Sequence, residues 1–317
     1  MSKVLIAGGA GFIGSNLAKK LLAEGHEVIV ADNLTTSSGD NIEEFKDNSS
    51  FTFINHDVTS TIPSEITADA VFHMASPASP NHHSKISYHA LAYETMMVNT
   101  IGTMELAKFA HHNNAKFLFA STSEIYGDPL EHPQKEEYRG NVSTTGPRAV
   151  YDEAKRFGET ITSYYWREKG LDARIARIFN TYGPNMHKDD LRMIARFIMQ
   201  AVENQPITIF GDGQQTRSLC FIDDLVEGLT RLMFYDNTKA EIVNLGNPEE
   251  HTVNEYAQIV KRLTGSSSEI VHSEELPQDD PLRRSPDITK AKKLLSWQPN
   301  VGLEEGLLKM IEYIKNI

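Results

Sequence analysis

The sequence has only one cysteine, Cys220, among its 317 residues. An internal disulfide is therefore impossible, and a chain of this length can bury enough apolar surface to fold without one. A single cysteine also favours a reducing compartment, so we expect a cytoplasmic protein. Long hydrophobic runs are absent as well, because no stretch approaches the roughly 18 apolar residues of a membrane span. We therefore expect no membrane segment.

Positive charge is also scarce. The 31 Lys and Arg residues are outnumbered by 43 Asp and Glu residues, which gives a formal net charge of -12. Nucleic-acid binding needs a basic face, so this balance argues against a nucleic-acid partner. Any anion must be held by a few local arginines and backbone N–H groups. We also expect no metal site, because the side chains of adjacent histidines such as His82 and His83 point in different directions.

Short apolar segments alternate with helical ones through the first half of the chain. The strand-like segments are 4–7, 27–31, 51–54, 70–74, 117–120 and 173–177, and the helical ones are 12–23, 96–112 and 150–169. This alternation predicts an α/β fold with a Rossmann-type, doubly wound parallel sheet. Prolines punctuate the second half, which predicts a smaller C-terminal α/β region that binds substrate. We place a Rossmann domain at 1–179, rejoined by about 217–246, and the second region mainly at 180–317.

A glycine motif lies where the first strand ends and the first helix begins. Gly8, Gly11 and Gly14 have the spacing that lets a backbone turn tightly and approach a pyrophosphate at a helix N-terminus. Asp32 ends the next strand, where a carboxylate can bind both hydroxyls of an adenosine ribose. A 2′-phosphate would be repelled there, so NAD is favoured over NADP. The alternative for Asp32 is a turn-forming residue before Asn33.

Tyr151 and Lys155 are four residues apart on a predicted helix, so they share one face. A nearby ammonium group favours the phenolate, and we therefore expect Lys155 to lower the pKa of Tyr151 towards neutrality. Such a tyrosine can take the proton from a sugar hydroxyl while hydride leaves for NAD. Thr122 follows the strand at 117–120, at the edge where the active-site residues of such sheets collect.

Several longer stretches are specific enough to indicate a family. They are 75–80, 121–129, 146–148, 151–156, 176–184, 215–217, 244–252 and 279–281 with Arg284, Pro286 and Asp287. On these stretches the whole chain resembles the extended short-chain dehydrogenases/reductases that act on nucleotide sugars. Within that family it most resembles the members that decarboxylate UDP-glucuronate to UDP-xylose.

The resemblance implies a reaction in three steps. Tyr151, with Thr122 and Lys155, would oxidise the C4 hydroxyl of the sugar while NAD takes the hydride. The 4-keto sugar would then lose carbon dioxide, and protonation at C5 with return of the hydride would give UDP-xylose. In the family, the residues at Glu124 and Arg217 serve the decarboxylation and the reprotonation, which suits a proton-moving carboxyl and a carboxylate-holding guanidinium.

The resemblance and the glycine motif together give a set of binding residues. For NAD, besides Tyr151 and Lys155, we expect Gly8, Gly11, Phe12, Ile13, Gly14, Asp32, Asn33, Asp57, Val58, Ala75 and Asn99. For the UDP-sugar we expect Asn180, Arg192, Phe210, Arg217 and Arg284, with Phe210 near the uracil. The family also forms homodimers through the helices that correspond to 96–112 and 150–169, so we expect a homodimer. The first helix offers apolar side chains for this contact: Met97, Ile101, Met104, Leu106 and Phe109. Packing in the core is the other explanation for these five residues.

Alternatives remain open for the function and for two of the residues. A 4,6-dehydratase would carry an Asp where Ser123 stands, and a 4-epimerase typically has a small or apolar residue at the position of Glu124. Glu124 could also be a surface carboxylate, and Arg217 a phosphate clamp. A nucleotide-sensing protein with a dead active site is disfavoured by the intact Tyr151 and Lys155.

The chain departs from the family pattern at three positions. Leu191 replaces a glycine beside Arg192, Asn185 replaces an arginine, and Cys220 replaces a polar residue after Arg217. The loop from Asn81 to Tyr93 is also a few residues longer than usual, and we expect it to cover the nicotinamide and the sugar.

Overall fold

A computed structural model describes residues 1–276 and 281–316, so the motif residues Asp279 and Asp280 lie outside the described residues. The strands in chain order are β1 (Lys3–Ala7), β2 (Glu27–Asp32), β3 (Phe51–Asn55), β4 (Ala70–His73), β5 (Lys116–Thr122), β6 (Ala173–Ile178), β7 (Thr181–Tyr182), β8 (Ile207–Phe210), β9 (Thr216–Ser218), β10 (Cys220–Phe221), β11 (Ile242–Leu245), β12 (Glu250–Thr252) and β13 (Ile270–Glu274). The α-helices are α1 (Phe12–Ala23), α2 (Ala92–Met97), α3 (Thr103–His112), α4 (Ala149–Lys169), α5 (Met193–Val202), α6 (Ile222–Phe234), α7 (Val253–Thr264), α8 (Thr289–Leu295) and α9 (Leu303–Lys315).

Seven of these strands form one parallel sheet in the order β11-β6-β5-β4-β1-β2-β3. The predicted Rossmann-type sheet is therefore confirmed. Strand order reverses at β1, which pairs with β2 on one side and with β4 on the other. In such a sheet the crevice at the carboxyl ends of the strands on either side of the reversal is where ligands bind.

Both faces of the sheet are buried, as the apolar runs require. Alternate side chains of β1 enter different cores: Val4 and Ile6 pack in one cluster, and Leu5 and Ala7 in the other. The first cluster includes residues of α1 and α6, and the second includes residues of α3. This period of two is what a strand between two helical layers produces.

The chain after residue 180 contributes to the large sheet and to three small ones. Strand β11 pairs with β6 at one edge of the large sheet. The small sheets pair β10 with β7, β12 with β9 and β13 with β8. Helices α5, α7 and α9 pack against one another beside them. The division at residue 179 stays a prediction.

The helix that we predicted at 96–112 is interrupted. A π-helical turn, Val98–Gly102, separates α2 from α3. Asn99 donates to the Thr95 carbonyl at 2.8 Å and to Ser76 Oγ at 2.9 Å, while Thr103 Oγ1 donates to the Asn99 carbonyl at 2.7 Å. These side-chain bonds support the wider turn and point Asn99 towards the loop after β4.

Asp224 fixes the C-terminal part of the chain to α6. Its buried carboxylate accepts the backbone N–H of Asn300 at 3.0 Å and of Val301 at 2.9 Å. The Asp224 carbonyl accepts the indole N–H of Trp297 at 2.8 Å. Hydrogen bonds to a charged acceptor are stronger than neutral ones, so this residue holds the segment between α8 and α9 in place.

We expect Asp224→Ala to lower the free energy of unfolding by about 2–3 kcal/mol, because two buried N–H groups lose a charged acceptor. Asp223→Ala is the matched control, since its exposed carboxylate lies one residue earlier in the same helical turn. That change should cost less than about 1 kcal/mol. Urea unfolding of both variants measures the difference, and equal losses would contradict the role of Asp224.

Candidate active site

The glycine motif forms a tight loop between β1 and α1. Gly8 has a φ of 77°, and a Cβ on Gly8 would lie 2.5 Å from the backbone of Ala75. A Cβ on Gly14 would lie 2.2 Å from the Gly8 carbonyl oxygen. Gly11 is the N-cap of α1 and provides no side-chain cap, so the N–H groups of the first helical turn remain available to an anion.

Asp32 has two contacts that hold this loop. Its Oδ2 accepts the N–H of Ala10 at 3.0 Å, and its Oδ1 accepts the N–H of Leu34 at 2.8 Å. Burial raises the pKa of Asp32, and the two backbone donors oppose the rise. The carboxylate therefore both borders the cavity beside the loop and fixes the loop's backbone.

A cavity of about 480 Å³ lies at the strand-order reversal; we call it the glycine-loop cavity. Most of the predicted NAD residues line it, namely Gly8, Gly11, Phe12, Ile13, Gly14, Asp32, Asn33, Asp57 and Ala75. Val58 instead packs in the hydrophobic core against Gly102. Asn99 is fully buried and reaches the cavity wall through its bond to Ser76.

A second cavity, of about 380 Å³, lies between the carboxyl edge of the sheet and the C-terminal region; we call it the arginine cavity. All the residues predicted to bind the UDP-sugar line this cavity, namely Asn180, Arg192, Phe210, Arg217 and Arg284. Glu124 lines it as well. Arg192 lines both cavities. The two cavities therefore meet at this residue.

Positive charge is concentrated in the arginine cavity although the chain as a whole is acidic. Arg192 makes two bonds of 2.6 Å to the carboxylate of Asp190, which fixes its guanidinium. Arg196 stacks over the ring of Phe210 at 4.1 Å. Leu191, where the family has glycine, takes a φ of 55°, the left-handed region that glycine tolerates best.

Thr122, Tyr151 and Lys155 meet where β5 ends and α4 begins. The Thr122 side chain faces the Tyr151 hydroxyl and opposes the rise of its pKa. Lys155 donates to the Ala120 carbonyl at 2.8 Å, and its Nζ lies 5.7 Å from the centre of the Tyr151 ring. The structure thus brings the predicted catalytic group together.

The prediction that Lys155 lowers the pKa of Tyr151 towards neutrality is wrong. Burial raises the pKa of Tyr151, and the negative charge of Glu124 raises it further. Burial also lowers the pKa of Lys155 to about 7, so its ammonium is only partly charged at neutral pH. The sequence shows the spacing of these residues but not how deeply they are buried, and desolvation outweighs the ammonium here.

Glu124 is not a surface carboxylate, because it is 8% exposed in a short 3-10 turn, Ser123–Tyr126. Its Oε1 lies 2.8 Å from Arg148 Nη2 and 3.5 Å from Arg284 Nη1. Burial would raise the pKa of Glu124, but the two guanidinium groups lower it to about 2. Arg217 lies in the same cavity and donates to the Thr216 carbonyl at 2.8 Å.

Three further residues lie in this site without a role predicted from the sequence: Tyr88, Arg148 and Asp152. Tyr88 stacks on Tyr151 with ring centres 4.8 Å apart, and its hydroxyl lies 3.4 Å from Glu124 Oε2. It comes from the long loop at 81–93, and no spacing in the sequence connects it with Tyr151. Arg148 and Asp152 could have been noticed, because positions three or four residues apart on a helix share a face.

Metal ligation has no support in the described ranges 1–276 and 281–316. No group of three or more His, Cys, Asp or Glu side chains among those residues could hold a metal ion. His82 instead stacks on His89, with ring centres 4.0 Å apart.

The chain is similar to known proteins over most of its length. The profile of the NAD dependent epimerase/dehydratase family matches residues 4–246. The chain is 48% identical over 313 residues to UDP-glucuronic acid decarboxylase 1 of Xenopus tropicalis, covering 99% of this chain and 72% of that protein. It is 49% identical over 311 residues to UDP-glucuronic acid decarboxylase 5 of Arabidopsis thaliana, covering 98% and 88%.

Solved structures with the same architecture are less similar in sequence. A UDP-glucuronic acid 4-epimerase from Bacillus cereus, in complex with UDP-glucuronic acid and NAD, superposes with a TM-score of 0.86 at 29% identity, covering 99% of both chains. A UDP-glucose 4-epimerase from Thermotoga maritima, with UDP-glucose, has a TM-score of 0.86 at 28% identity, covering 99% of both chains.

We expect Asp32→Ala to weaken NAD binding by about 1–3 kcal/mol, because the cofactor ribose loses a charged acceptor and the loop loses its bond at Ala10. Asp40→Ala is the control, since that exposed carboxylate does not line the glycine-loop cavity. Calorimetric titration measures both variants. The assignment of Asp32 fails if the unmodified protein binds NAD and NADP equally well.

Proposed function

The chain belongs to the NAD dependent epimerase/dehydratase family, and from that premise we propose that it converts UDP-glucuronate to UDP-xylose and carbon dioxide and regenerates its NAD in each cycle. The proposal depends above all on one observation. The buried carboxylate of Glu124 is held by two guanidinium groups beside Tyr151, in the arginine cavity. Relatives at 48% and 49% identity over nearly the whole chain, named as UDP-glucuronic acid decarboxylases, support the same reaction.

The residues of the glycine-loop cavity fit NAD. Only glycine leaves room at Gly8 and Gly14 for the tight turn, and the uncapped start of α1 offers N–H groups to a pyrophosphate. Asp32 offers a carboxylate to the adenosine ribose. Bound NAD would supply the acceptor for the hydride that leaves sugar C4. A diphosphate of the substrate would find Arg192 in the adjoining cavity.

Tyr151 is the group that we assign to the proton of the C4 hydroxyl. It is 6% exposed, and the Thr122 side chain faces its hydroxyl. Lys155 is close enough to stabilise the phenolate when it forms, and its bond to Ala120 holds it there. A positioned acid–base group of this kind contributes roughly 10²–10⁴-fold to a rate.

The arginine cavity serves the steps that follow oxidation. A ketone at C4 makes the C5 carboxylate a β-keto acid, so the C5–C6 bond can break with its electrons moving onto the ketone oxygen. We assign Arg217 and its neighbour Arg284 to the carboxylate and the enolate oxygen. Glu124 is the carboxyl that we assign to proton movement at C5.

A 4-epimerase is the second candidate function. The structural neighbours that are 4-epimerases share the fold over 99% of this chain, at 28% and 29% identity. Their reaction would need no proton donor at C5. The buried Glu124 favours the decarboxylase, because a proton donor at C5 has a use only after carbon dioxide is lost.

Mass spectrometry of the products formed from UDP-glucuronate separates these candidates. We expect UDP-xylose and carbon dioxide in equal amounts. Conversion of UDP-glucuronate to an isomer of the same mass, with no release of carbon dioxide, would replace the decarboxylase by the epimerase.

We expect Tyr151→Phe and Glu124→Gln to fail at different steps. The first removes the acid–base group for C4, so adding substrate should produce no NADH absorbance. The second should leave C4 oxidation possible while slowing the later steps by roughly 10²–10⁴-fold, so bound NADH should accumulate. If Glu124→Gln forms UDP-xylose at the normal rate, its proposed role is wrong.

We also propose a homodimer that forms through α2, α3 and α4. Support comes from large apolar side chains that are exposed on this surface: Met96 is 41% exposed, Phe157 51% and Tyr164 44%. Phe157 and Tyr164 are seven residues apart on α4 and so share one face. Two residues that we expected in the interface lie elsewhere. Leu106 is buried in the core, and Met97 lines the glycine-loop cavity.

We expect Phe157→Glu to sediment as a monomer at micromolar concentration, because a dimer would have to bury the new charge. Leu308→Glu is the matched control, since Leu308 is 50% exposed on α9, away from this surface. That variant should sediment like the unmodified protein. A monomeric unmodified protein, or a dimeric Phe157→Glu, would contradict the proposed interface.

A cytoplasmic location is our proposal as well. Its support is the single cysteine, Cys220, which is fully buried and whose pKa burial raises, so it suits a compartment in which thiols stay reduced. Separately, none of the helices in the described ranges has the length and apolar character needed to cross a membrane.

A further inference from the structure

We propose that Asp152 shares one proton with Glu124, and that this pair is the reservoir from which sugar C5 is protonated after carbon dioxide leaves. The role of this proton in turnover rests on the proposed function. The existence of the shared proton does not depend on that function. Asp152 acts through Glu124 and is a positioning residue.

The geometry requires a proton between the two carboxyl groups. Asp152 is 5% exposed and Glu124 is 8% exposed, and the two carboxyl groups lie within hydrogen-bonding reach of each other. Two ionised carboxylates have only acceptor atoms and cannot bond to each other, so one of them must carry a proton. Oδ1 of Asp152 has no hydrogen-bond donor among the described residues, which would be costly for an ionised carboxylate.

The charges around the pair favour one proton rather than none or two. Within residues 1–276 and 281–316, the titratable and charged groups that face it include Tyr88 and His89 from the long loop, Arg148 and Tyr151 from the start of α4, Arg192 before α5, Arg284, and Arg217 beside Arg284. The nearest are Arg148 and Arg284, and they hold Glu124 in its ionised form. A second negative charge on Asp152 would meet that of Glu124 in a buried space.

The directions of the pKa shifts agree with a proton on Asp152 and a negative charge on Glu124. Burial raises the pKa of Asp152, and the charge of Glu124 raises it further. For Glu124, Arg148 and Arg284 more than offset the effect of burial and lower its pKa. The pair therefore keeps its proton at neutral pH and loses it as the pH rises through the raised value of Asp152.

The proton balance of the reaction gives this reservoir its use. The C5–C6 bond breaks, carbon dioxide leaves, and the bonding electrons form an enolate with its charge on the oxygen at C4. The enolate then takes one proton at C5 and becomes a ketone again. The proton held between Asp152 and Glu124 passes through Glu124 to C5, which leaves two carboxylates opposite Arg148 and Arg284. Water restores the proton, so each turnover consumes one from solvent.

Infrared difference spectroscopy of the NAD-loaded protein without substrate tests the shared proton directly. The unmodified protein should show the carbonyl stretch of a protonated carboxylic acid at neutral pH, and this band should disappear as the pH is raised. Asp152→Asn and Glu124→Gln should each remove the band. Glu153→Gln is the matched control, because that carboxyl lies on the next residue of α4, is 38% exposed and pairs with Arg156. It should leave the band unchanged.

Turnover of UDP-glucuronate tests what the proton does. With Asp152→Asn we expect NADH to form on adding substrate, and UDP-xylose formation to fall by roughly 10²-fold or more, with KM changed only a few-fold. Asp152→Glu should recover part of the rate, because it restores an ionisable group. A purely structural role would instead change KM and thermal stability together with kcat.

The outcomes separate this inference from the proposed function. Absence of the protonated-acid band in the unmodified protein overturns the inference, and so does a normal rate in Asp152→Asn. If Asp152→Asn does not fold, the pH titration of the band in the unmodified protein and its loss in Glu124→Gln decide the matter. An unmodified protein that has the band but releases no carbon dioxide would contradict the proposed function and leave the shared proton established.

Discussion

The contact between the Glu124 carboxylate and the guanidinium groups of Arg148 and Arg284 is the interaction on which the rest of the site depends. These three charges come from the end of β5, the start of α4 and the C-terminal region, so the contact joins the sheet to the part of the chain that closes the arginine cavity. Burying one such charge without partners would cost several kcal/mol. The arrangement therefore persists only if all three segments keep their places, and Tyr151 and Asp152 lie next to it on α4.

The same constraint explains how an acidic chain can hold an acidic substrate. Five arginines line the arginine cavity, where low polarity strengthens their effect: Arg148, Arg192, Arg196, Arg217 and Arg284. That cavity meets the glycine-loop cavity at Arg192, beside the reversal of strand order. A nucleotide cofactor and a nucleotide sugar can therefore approach one another at the ends of β4 and β5, where Thr122 and Tyr151 lie.

Much of this could be predicted from local patterns, and the failures have a common physical origin. The glycine spacing, Asp32 and the Tyr151–Lys155 pair are encoded by neighbours in the sequence, and so are the apolar strands. The prediction of a lowered pKa for Tyr151 is wrong because this pKa depends on burial by segments far away in the chain. The interruption of the helix at Val98–Gly102 depends on side-chain bonds to the loop after β4. The stacking of Tyr88 on Tyr151 and the contact between Asp152 and Glu124 likewise need the assembled fold.

Turnover of UDP-glucuronate in deuterium oxide tests the central claim most directly, because it follows both the hydride and the proton. We predict UDP-xylose that carries one solvent deuterium at C5 and none at C4, since the hydride returns from the same cofactor and the C5 proton comes from an acid that exchanges with water. Deuterium at C4, a product without deuterium at C5, or an isomer of UDP-glucuronate in place of UDP-xylose would contradict the account.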